Sequence, residues 1–581
     1  MKRTIATLFS LACIGCNGNE ESPDGPTYYE DIAPILSENC MACHAEEGMQ
    51  PELLFDDAET TSSLSGLINA AVQSGSMPPF YAVESDECAN PWGFQDDPRL
   101  TVEELALIDA WAEAGGPTGK EEDAAPLPLP RNGDLKNPTT TAFPSGKYTT
   151  NPVGEVTDEF ICFSIDPGLD EEGWLEAFAV IPEEVSVVHH VLVGVDHEGV
   201  SASMVDENGI YPCFGGFGDV PATFIGGWIP GATATEFPPF SAVRVEKDAR
   251  IVMQMHYHLV EESKQDGTGL ALRFGEDVPI QLVQVGLLGN ANAPLEGGNG
   301  LQPGMNDGGS SPEFFVPAGE GAHLESMRFQ PWNQSPREML TFQIANHMHY
   351  VGTDMRVWVE RGSDAGGEED VCLLHTPEWD FDWQQFYAYD AGSGNAPTIY
   401  PGDAIWLECE YNNSLSNPAM KKALSEVGLE DPVDVSLGEG TLDEMCIVLL
   451  GQVFDIPTTV PNQTHSGEAE VSLDAGEMLL DCKGPAGFSV DESGAVSGVA
   501  ACGLDLGGAL YTLEYAFEGS VDEAGNAAGT VDVSVLYLED TANLDWTGTT
   551  SGDTLTLSFT GAGTFAGIPI DFNATVSAGT E

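Results

Sequence analysis

Five histidines and one methionine lie in four short segments rich in β-branched residues, and their types and spacing favour metal chemistry. The segments are VSVVHHVLVG, IVMQMHYH, FQIANHMHYVG and TLDEMCIVLL. Imidazole suits copper, and a thioether added to two imidazoles suits copper that cycles through Cu(I). The grouping therefore predicts two copper sites, one formed by His189, His190 and His256, the other by His347, His349 and Met445.

The second pair of histidines is separated by one residue, which suits a strand. Side chains alternate along a strand, so His347 and His349 project from one face and can hold one ion together. Met445 would come from a neighbouring strand as the third ligand. Three protein ligands leave a coordination position open, as O2 or a substrate requires at a catalytic metal.

The first pair needs an irregular strand. His189 and His190 are adjacent, so in a regular strand they point to opposite faces. Joint ligation requires a bulge or a strand end, and bulges are common beside active sites. The alternative is that one of the pair is a buried structural histidine. His258 shares a face with His256, and only the resemblance to a known family, whose pattern assigns just the first histidine of this segment, leaves it outside the ligand set. Other histidines have no metal-like spacing: His197, His323, His375 and His465.

A separate constellation near the N-terminus predicts a haem. Cys40, Cys43 and His44 form C-x-x-C-H, the attachment signature of c-type haem, in which two thioethers hold the porphyrin and the histidine is an axial ligand. By itself the pattern also fits a disulfide turn or half of a zinc site. Met77 follows a helix-like segment, and a last helix begins at a Thr101-x-x-Glu104 capping box. Residues 27–119 resemble a cytochrome c domain, which makes Met77 the second axial ligand.

The N-terminus carries an export signal. Lys2 and Arg3 precede the run TIATLFSLACIG, which is too short to span a bilayer as a permanent anchor. Residues 1–16 resemble a bacterial lipoprotein signal peptide, with lipid attached to the Cys16 thiol. We therefore expect an exported protein anchored by lipid to a bacterial cell-envelope membrane, on its periplasmic or cell-surface side. Plain secretion is the alternative.

The chain of 581 residues is too long for one hydrophobic core. A charged, proline-rich linker at 120–137 follows the haem domain. Runs rich in β-branched residues and broken by Gly, Pro and Asp then predict two tandem antiparallel β-sandwich lobes, at 138–289 and 290–456. Residues 465–581 predict a small C-terminal β-domain without catalytic residues. The expected fold class is mainly β, preceded by a small all-α cytochrome c-like domain.

Residues 140–455 resemble a known family in four ordered motifs. The copper type II, ascorbate-dependent monooxygenases include peptidylglycine α-hydroxylating monooxygenase and dopamine β-monooxygenase. They have a His-His pair and Q-x-H-Y in the first lobe, then H-x-H-x-x-G and D-E-M-C in the second. The matching segments here are His189-His190, Gln254–Tyr257, His347–Gly352 and Asp443–Cys446. The stretch WDFDWQQFYAY and Gly402-Asp403 also look like the family.

The resemblance implies different roles for the two copper ions. The ion in the first lobe would pass electrons, with Gln254 as an accessory residue nearby. The ion in the second lobe would bind O2 and abstract hydrogen from an aliphatic C–H, so that one oxygen atom is inserted. His347, His349 and Met445 are then the catalytic ligands. The expected cofactors are two copper ions and one haem c, and the partners are O2, a small-molecule substrate and an electron donor, either an ascorbate-like reductant or a redox protein.

The chain departs from the family where peptide substrates are recognised. Peptide-hydroxylating members hold the substrate carboxylate with an Arg two residues before H-x-H, and with an Asn and a Tyr after the Met. Ala345, Ile447 and Leu449 occupy those positions here. Alanine cannot form the two hydrogen bonds by which a guanidinium binds a carboxylate. An apolar or neutral substrate is therefore favoured over a peptide C-terminus.

The charge of the chain limits its partners. Lys+Arg of 19 against Asp+Glu of 94 gives a net charge of −75. Such a field disfavours nucleic acid and anionic lipid surfaces, so we expect no nucleic-acid partner and membrane contact only through the lipid anchor. It also repels an anionic reductant beyond the screening length of roughly 8–10 Å. A tethered haem domain would avoid this repulsion when feeding the first copper. The alternative is two redox modules that exchange no electrons.

Cysteine usage indicates an oxidising compartment. By resemblance, Cys409 and Cys446 match a family disulfide beside Met445. We also expect the pairs Cys162–Cys213 and Cys482–Cys502. Cys88 and Cys372 are left over, and their pairing cannot be read from the sequence.

Two other function classes fit the same residues. One is an exported copper-binding lipoprotein without turnover, and the other is a haem–copper electron-transfer protein without a substrate pocket. Blue-copper chemistry requires a cysteine ligand beside the histidines. Cys446 is the only cysteine in the four motifs, and we assign it to a disulfide.

Overall fold

The computed structural model describes most of the chain after the signal region. The described residues are 25–45, 53–85, 88–95, 97–128, 133–152, 158–260, 262–275, 279, 281–291, 294–295, 298–304, 307, 311–330, 338–362, 369–438, 440, 442–455, 463–474, 479–491, 493–505, 510–522, 524–535, 541–565 and 568–580. The expected signal peptide, residues 1–16 with Cys16, lies outside them.

The described chain is mainly β, as expected, and it forms two compact units. One unit comprises Met1–Pro78 and Arg99–Arg131, and the other comprises Pro79–Pro98 and Asn132–Glu581. We call them the helical unit and the strand unit. The helices of the helical unit are α1 (Ala33–Asn39), α2 (Ala58–Ser63), α3 (Ser65–Gln73) and α4 (Val102–Glu113), with a π-helical turn at Tyr28–Ile32.

The helical unit is held by its caps and a small apolar core. The predicted capping box at the start of α4 is present, because Thr101 accepts from the Glu104 amide and Glu104 accepts from the Thr101 amide. Ile108 and Trp111 on the same helix are fully buried. The Trp111 indole donates to the Pro117 carbonyl at 3.0 Å, so the buried ring keeps its polar group paired.

The first part of the strand unit carries β1 to β12. Their bounds are β1 (Thr140–Ala142), β2 (Tyr148–Thr149), β3 (Asp158–Ile165), β4 (Gly173–Ile181), β5 (Val188–Asp196), β6 (Ile210–Tyr211), β7 (Thr223–Trp228), β8 (Thr235–Glu236), β9 (Ser241–Val245), β10 (Arg250–His258), β11 (Gln265–Asp266) and β12 (Gly269–Gly275). One sheet has the order β6-β3-β10-β5-β7, with β10 antiparallel to both β3 and β5. This sheet carries the first three predicted histidine ligands.

The second part carries β13 to β24 and the helix α5 (Pro418–Glu426). The strand bounds are β13 (Gln281–Gly289), β14 (Gly300–Leu301), β15 (Phe315–Val316), β16 (His323–Phe329), β17 (Met339–His347), β18 (Gly352–Glu360), β19 (Val371–Thr376), β20 (Tyr387–Ala388), β21 (Thr398–Ile399), β22 (Ala404–Tyr411), β23 (Val435–Ser436) and β24 (Ile447–Asp455). One sheet has the order β14-β16-β22-β18-β19. These strands are rich in buried β-branched and aromatic residues, which favour a pleated sheet.

A single sheet joins the two parts. Its order is β1-β12-β4-β9-β13-β24-β17-β20, so strands from both parts lie in one ladder. The predicted first lobe includes residues 281–289, which form β13. This strand pairs along its whole length with β24 and pairs with β9 at only two positions. Hydrogen bonding therefore groups β13 with the second part.

One segment of the predicted haem domain packs with the strand unit instead. We call Pro79–Pro98 the strap. Cys88 forms a disulfide with Cys372, which resolves the two cysteines left over in the sequence. Phe80 and Phe94 contact the ring of Tyr387, each with centroids 5.1 Å apart. The strap is thus fixed covalently and by aromatic packing.

The C-terminal domain is a closed barrel. Its eight described strands are β25 (His465–Asp474), β26 (Leu479–Val490), β27 (Ala495–Asp505), β28 (Leu510–Val521), β29 (Asn526–Val535), β30 (Thr541–Ser551), β31 (Thr554–Phe565) and β32 (Ile568–Thr580). Each pairs antiparallel with the next, and β25 pairs with β32 to close the ring. Buried and exposed residues alternate along β30 and β31, so the apolar side chains fill the interior. The sequence predicted the strands, and the closure is new.

The disulfides indicate an oxidising environment, which is consistent with export. The three predicted pairs are present, namely Cys162–Cys213, Cys409–Cys446 and Cys482–Cys502. Among the described helices, none combines the length and the apolar character needed to cross a membrane.

Candidate metal centres

The first histidine site is built on a β-bulge. In the β5–β10 pair His256 lies opposite His190, whereas Tyr257 lies opposite Val188, so His189 is the extra residue. The bulge that joint ligation requires is therefore present. It allows the adjacent side chains of His189 and His190 to turn toward His256, and one potential ligand atom from each of the three lies within 4.8 Å of the others.

The converging atoms are the Nδ1 nitrogens. Nδ1 of His190 lies 3.2 Å from Nδ1 of His189 and 3.3 Å from Nδ1 of His256. A neutral imidazole has one N–H, so His190 cannot donate to both neighbours. A cation at about 2.0–2.1 Å from each nitrogen, the usual distance for imidazole on a first-row metal, satisfies all three lone pairs. The donor set therefore fits a three-histidine metal site.

Asp158 fixes the orientation of His256. Nε2 of His256 donates to the Asp158 carboxylate at 2.8 Å, which leaves Nδ1 free to act as a ligand. The same carboxylate lies 3.4 Å from Nδ1 of His258. His258 is thus turned to Asp158, which accords with its exclusion from the ligand set. Phe160 stacks on the other side of the His256 ring, with centroids 4.3 Å apart.

The electrostatics of the first site keep an imidazole neutral. Burial, and next the neighbouring His256, His189 and His347, hold the pKa of His190 well below its usual range. A neutral imidazole is the form that binds a metal.

The second pair of histidines leaves Nε2 available, whereas the histidines of the first site converge through Nδ1. His347 and His349 have ring centroids 5.3 Å apart and nearly perpendicular planes. Nδ1 of His349 donates to the Asp443 carbonyl at 3.1 Å, and Nδ1 of His347 lies 2.7 Å from Oε1 of Gln384. The Gln384 amide nitrogen donates to the Phe381 carbonyl, so its oxygen is the acceptor for His347. Both histidines therefore keep Nε2 available as a ligand.

Glu444 ties Met445 to His349. One carboxylate oxygen of Glu444 accepts from the backbone amides of His349 and Met445, at 2.8 and 2.9 Å. The other oxygen accepts from the amides of Val351 and Gly352. Burial raises the pKa of this carboxyl to about 8, although the four amide donors oppose the rise. The carboxylate thus sets the backbone of the methionine beside that of the second histidine.

Burial also keeps the second pair neutral. It lowers the pKa of His349 to about 3, with a further contribution from His347. Burial lowers the pKa of His347 as well, although the hydrogen bond that His347 donates to Gln384 opposes the fall. The second pair therefore supplies two neutral imidazoles, the form of histidine that binds a metal.

Phe381 lies between the two histidine sites. Its ring centroid is 5.8 Å from that of His189 and 5.9 Å from that of His349. It also packs against Tyr350, with ring centroids 4.3 Å apart and tilted planes. Because His347 contributes to the lowered pKa of His190, the two sites lie within electrostatic reach of each other. One aromatic side chain thus contacts a predicted ligand of each site.

An apolar surface flanks the second site. In register, Ala345 pairs with Leu449, and His347 pairs with Ile447. On the other side of β24, Leu449 pairs with Leu287. Directly paired residues share a face of a sheet, so these side chains lie on the face that carries His347. Leu287 is 58% exposed, whereas Ala345 and Leu449 are 8% and 5% exposed, so only the Leu287 end of the row is open to solvent.

The predicted haem ligands lie in the helical unit. Cys40 and Cys43 are the free thiols among the described cysteines. Burial raises the pKa of the Cys40 thiol to about 12 and lowers that of His44. His44 stacks on Phe55 at 4.4 Å and its Nδ1 donates to the Leu53 carbonyl, which leaves Nε2 free. Two reduced thiols beside such a histidine fit covalent haem attachment. Met77 is 37% exposed at the end of the unit.

The remaining histidines and Gln254 have protein partners. His197 bonds Glu246, His323 bonds Glu325, and His375 bonds Asp354. Thr464 contacts His465. The side-chain amide of Gln254, two residues before His256, donates to the Gly216 carbonyl.

Four residues that contact the predicted ligands were not predicted from the sequence: Asp158, Phe381, Gln384 and Glu444. Phe381 and Gln384 lie in the WDFDWQQFYAY stretch, and Glu444 lies in D-E-M-C, so the family-like patterns marked their segments but not their contacts. Asp158 had no sequence signal, because its link to His256 arises from the pairing of β3 with β10.

Comparisons with known proteins leave the family untested. No family model matches the chain, and no curated protein matches it. Among solved structures, the infectious bursal disease virus VP2 subviral particle aligns with 8% identity, 57% of this chain and 84% of that chain covered, and a TM-score of 0.07. A likeness at this TM-score carries no argument about fold or function.

Proposed function

We propose that this protein is a copper-dependent monooxygenase that hydroxylates an aliphatic C–H of a small apolar substrate with O2. In this proposal the strand unit has the two-lobed architecture of the copper type II, ascorbate-dependent monooxygenases. The observation that supports it is that the Phe381 ring contacts both His189, of the three-histidine cluster, and His349, of the second histidine pair. Three imidazoles suit a copper centre that transfers electrons. Two imidazoles and a thioether would suit a copper centre that reacts with O2 in the Cu(I) state.

His189, His190 and His256 would hold one copper through Nδ1, and His347, His349 and Met445 would hold the other through Nε2 and the thioether. Copper bound there supplies one-electron chemistry and activation of O2. One oxygen atom would enter the C–H bond and the other would leave as water, with two electrons taken from a reductant and two protons taken from solvent. The protein's own part is to orient the ligands through Asp158, Gln384 and Glu444 and to limit water between the sites with Phe381.

The register of β13, β24 and β17 supports the substrate class. Ala345, Leu449 and Leu287 form an apolar row beside His347, with Ile447 on the same face. The row offers no cation for a carboxylate and no hydrogen-bond donor for a peptide end. A hydrocarbon group lying against Leu287, the exposed end of the row, would bury apolar surface beside the second site.

The helical unit would deliver electrons as a cytochrome c-like domain. Cys40 and Cys43 would hold haem c by thioethers, with His44 and Met77 as axial ligands. A tethered donor acts at high effective concentration. It also avoids the repulsion that a chain with a net charge of −75 exerts on a free anionic reductant. Phe160, stacked on His256 and touching the exposed ring of Phe214, extends an aromatic contact from the first site to the surface. We also propose lipid attachment at Cys16.

The test is metal content and EPR of the haem-loaded protein after copper reconstitution, beside His347→Ala and His256→Ala variants. We expect two type II coppers per haem in the wild type and about one in each variant. O2 uptake that rises with an apolar probe such as ethylbenzene, and fails in both variants, would establish turnover. Stoichiometric copper without substrate-dependent uptake would assign the protein to copper binding or electron transfer instead.

A further inference from the structure

Asp266 joins the end of β10 to the turn that precedes β5. Its side chain is 0% exposed, and the equally buried hydroxyl of Tyr257 donates to Oδ2 at 2.9 Å. The backbone amide of Glu184, in the segment before β5, donates to Oδ1 at 3.0 Å. The amide and the hydroxyl of Thr268 also donate to Asp266, at 3.2 and 2.8 Å. Four donors to one buried side chain hold both segments in fixed positions. We call the bonds from Tyr257 and Glu184 to this residue the Asp266 bridge.

The bridge ends at the turn that sets the start of β5. The Glu184 carbonyl accepts from the amides of Val187 and Val188, each at 3.2 Å. The Val187 carbonyl in turn accepts from the amide of His258 at 2.8 Å. Glu184 therefore fixes the first residues of β5 against the last residue of β10.

The position of this turn decides which residue is extra in the β-bulge. Val188 lies opposite Tyr257, and both side chains belong to the hydrophobic core. A regular ladder beyond His190 would instead place His189 opposite Tyr257. The His189 imidazole would then point into the core, away from the face of His256, because a shift of one residue moves a side chain to the other face. The three imidazoles therefore converge only while Val188 stays opposite Tyr257.

We propose that Asp266 and Tyr257 are positioning residues that hold β5 in the register that keeps His189 in the bulge. The inference rests on the three-histidine site of the proposed function. Tyr257 follows His256 and points to the opposite face of β10, so it acts on the site through the backbone. A slip of β5 by one residue would move Glu184 by about 3.3 Å along the strand and break its bond to Asp266. The bridge thus opposes the slip that would remove His189 from the site.

Two buried residues of the same sheet provide matched controls. Asp196, at the other end of β5, is 0% exposed and accepts from the amides of Val200 and Ser201, at 3.1 and 2.7 Å. Tyr211 lies on β6, which β3 and β10 separate from β5, and its buried hydroxyl donates to the Phe217 carbonyl at 3.2 Å. Each control loses the same kind of hydrogen bond as its test residue, but away from the bulge.

The experiment measures Cu(II) binding to the full chain by EPR, with spin-echo detection of the coordinated imidazoles. The parent protein carries His347→Ala, so that the second pair of histidines does not contribute. The added changes are Tyr257→Phe, which removes the hydroxyl, and Asp266→Asn, which places an NH2 group against the donors. The controls are Tyr211→Phe and Asp196→Asn.

We expect Tyr257→Phe and Asp266→Asn each to lower copper affinity about 10- to 100-fold. The number of coordinated imidazoles should fall from three to two, because His189 leaves the site. Both controls should keep the affinity of the parent protein and three imidazoles, even where the Tm falls as far as in the test variants.

Hydrogen exchange of the metal-free protein reports the register independently of copper. In both test variants we expect faster exchange at the amides of Val188 and His258, with the amide of Met253 in the middle of β10 unchanged. A general loss of stability would instead raise exchange along the whole of β10.

Unchanged copper affinity in Tyr257→Phe and Asp266→Asn would overturn the proposal, and so would equal losses in the two controls. If Asp266→Asn fails to fold, Tyr257→Phe decides, because it removes one oxygen and retains the ring. If the parent protein binds no copper, the proposed function fails, and exchange at the His258 amide decides whether the bridge holds the register. Copper binding without turnover would contradict the monooxygenase proposal and leave this inference intact.

Discussion

The rings of Phe381 and His189 lie nearly parallel, with centroids 5.8 Å apart and planes at 24°, although the two residues are 192 positions apart in the chain. Phe381 comes from the segment that follows β19, and His189 is the bulged residue of β5. The same phenyl ring contacts His349 edge-on. The Phe381 ring therefore contacts one histidine of each candidate site.

Replacing Phe381 should uncouple O2 consumption from hydroxylation. In Phe381→Ala, water enters between the sites while every metal ligand is retained, so copper content should stay at two per chain. We expect the ratio of ethylbenzene hydroxylated to O2 consumed to fall on the order of tenfold. Phe381→Tyr keeps the ring and should retain most of the coupling. An unchanged ratio in the alanine variant would remove Phe381 from the proposal.

Removing Asp158 should weaken the first site alone. Asp158→Ala leaves Nε2 of His256 without its acceptor, and the loss of such an orienting partner typically costs 10- to 100-fold in metal affinity. Copper titration by EPR should show this loss at the three-histidine site while the second site is unaffected. Asp166→Ala is the control, because that carboxylate pairs with Arg250 at the surface. Equal loss at both sites would point to a general folding defect.

Changing Glu444 to Gln should weaken the second site. The carboxylate accepts from four backbone amides, and an amide side chain would place an NH2 group against two of those donors. We expect the backbone at His349 and Met445 to shift, with about 10- to 100-fold lower copper affinity at that site. The unfolding free energy should fall by about 1–3 kcal/mol. If the second-site EPR signal and affinity persist, Glu444 is structural only.

The apolar row can be tested at its exposed end. Leu287→Ser removes apolar contact surface, so KM for ethylbenzene should rise by roughly tenfold with little change in stability. Leu415→Ser, at a leucine that is 44% exposed, is the matched control. We expect 3-phenylpropionate, which carries a carboxylate, to be a poorer substrate than ethylbenzene for the wild type. Preference for the carboxylate would contradict the apolar assignment.

One ion pair should make attachment of the barrel sensitive to acid. Lys483 of β26 lies 2.7 Å from Glu172, which also pairs with Arg244. Burial raises the pKa of Glu172, but the two cations outweigh it and hold the pKa below its usual range. A lowered folded pKa gives stability that is present above the unfolded value of about 4.3 and is lost as the pH falls through the folded value.

We therefore expect Lys483→Met to lower stability at pH 7 by on the order of 1 kcal/mol and to reduce the loss on acidification below about pH 4. Thermal unfolding from pH 3 to pH 7 measures both effects. Lys147→Met is the control, because Lys147 pairs with Glu183 at an exposed position. The same pH profile in wild type and Lys483→Met would show that the pair contributes nothing.

The sequence by itself determined the locally encoded features of this protein. The strand-rich pattern, the capping box of α4, three of the disulfides and the need for a bulge at His189-His190 all appear in the structure. The strand pattern, the capping box and the bulge depend on propensity or periodicity over a few residues, whereas the Cys409–Cys446 pair was predicted from the family resemblance.

The tertiary structure alone decided which distant residues meet. The contact of Asp158 with His256, the place of Phe381 between the sites, the strap held by Cys88–Cys372 and the closure of the barrel join residues far apart in the chain. No local pattern encodes such contacts, because they depend on strand order and register across the sheets. The candidate ligands could be proposed from the sequence, but the groups that orient them could not.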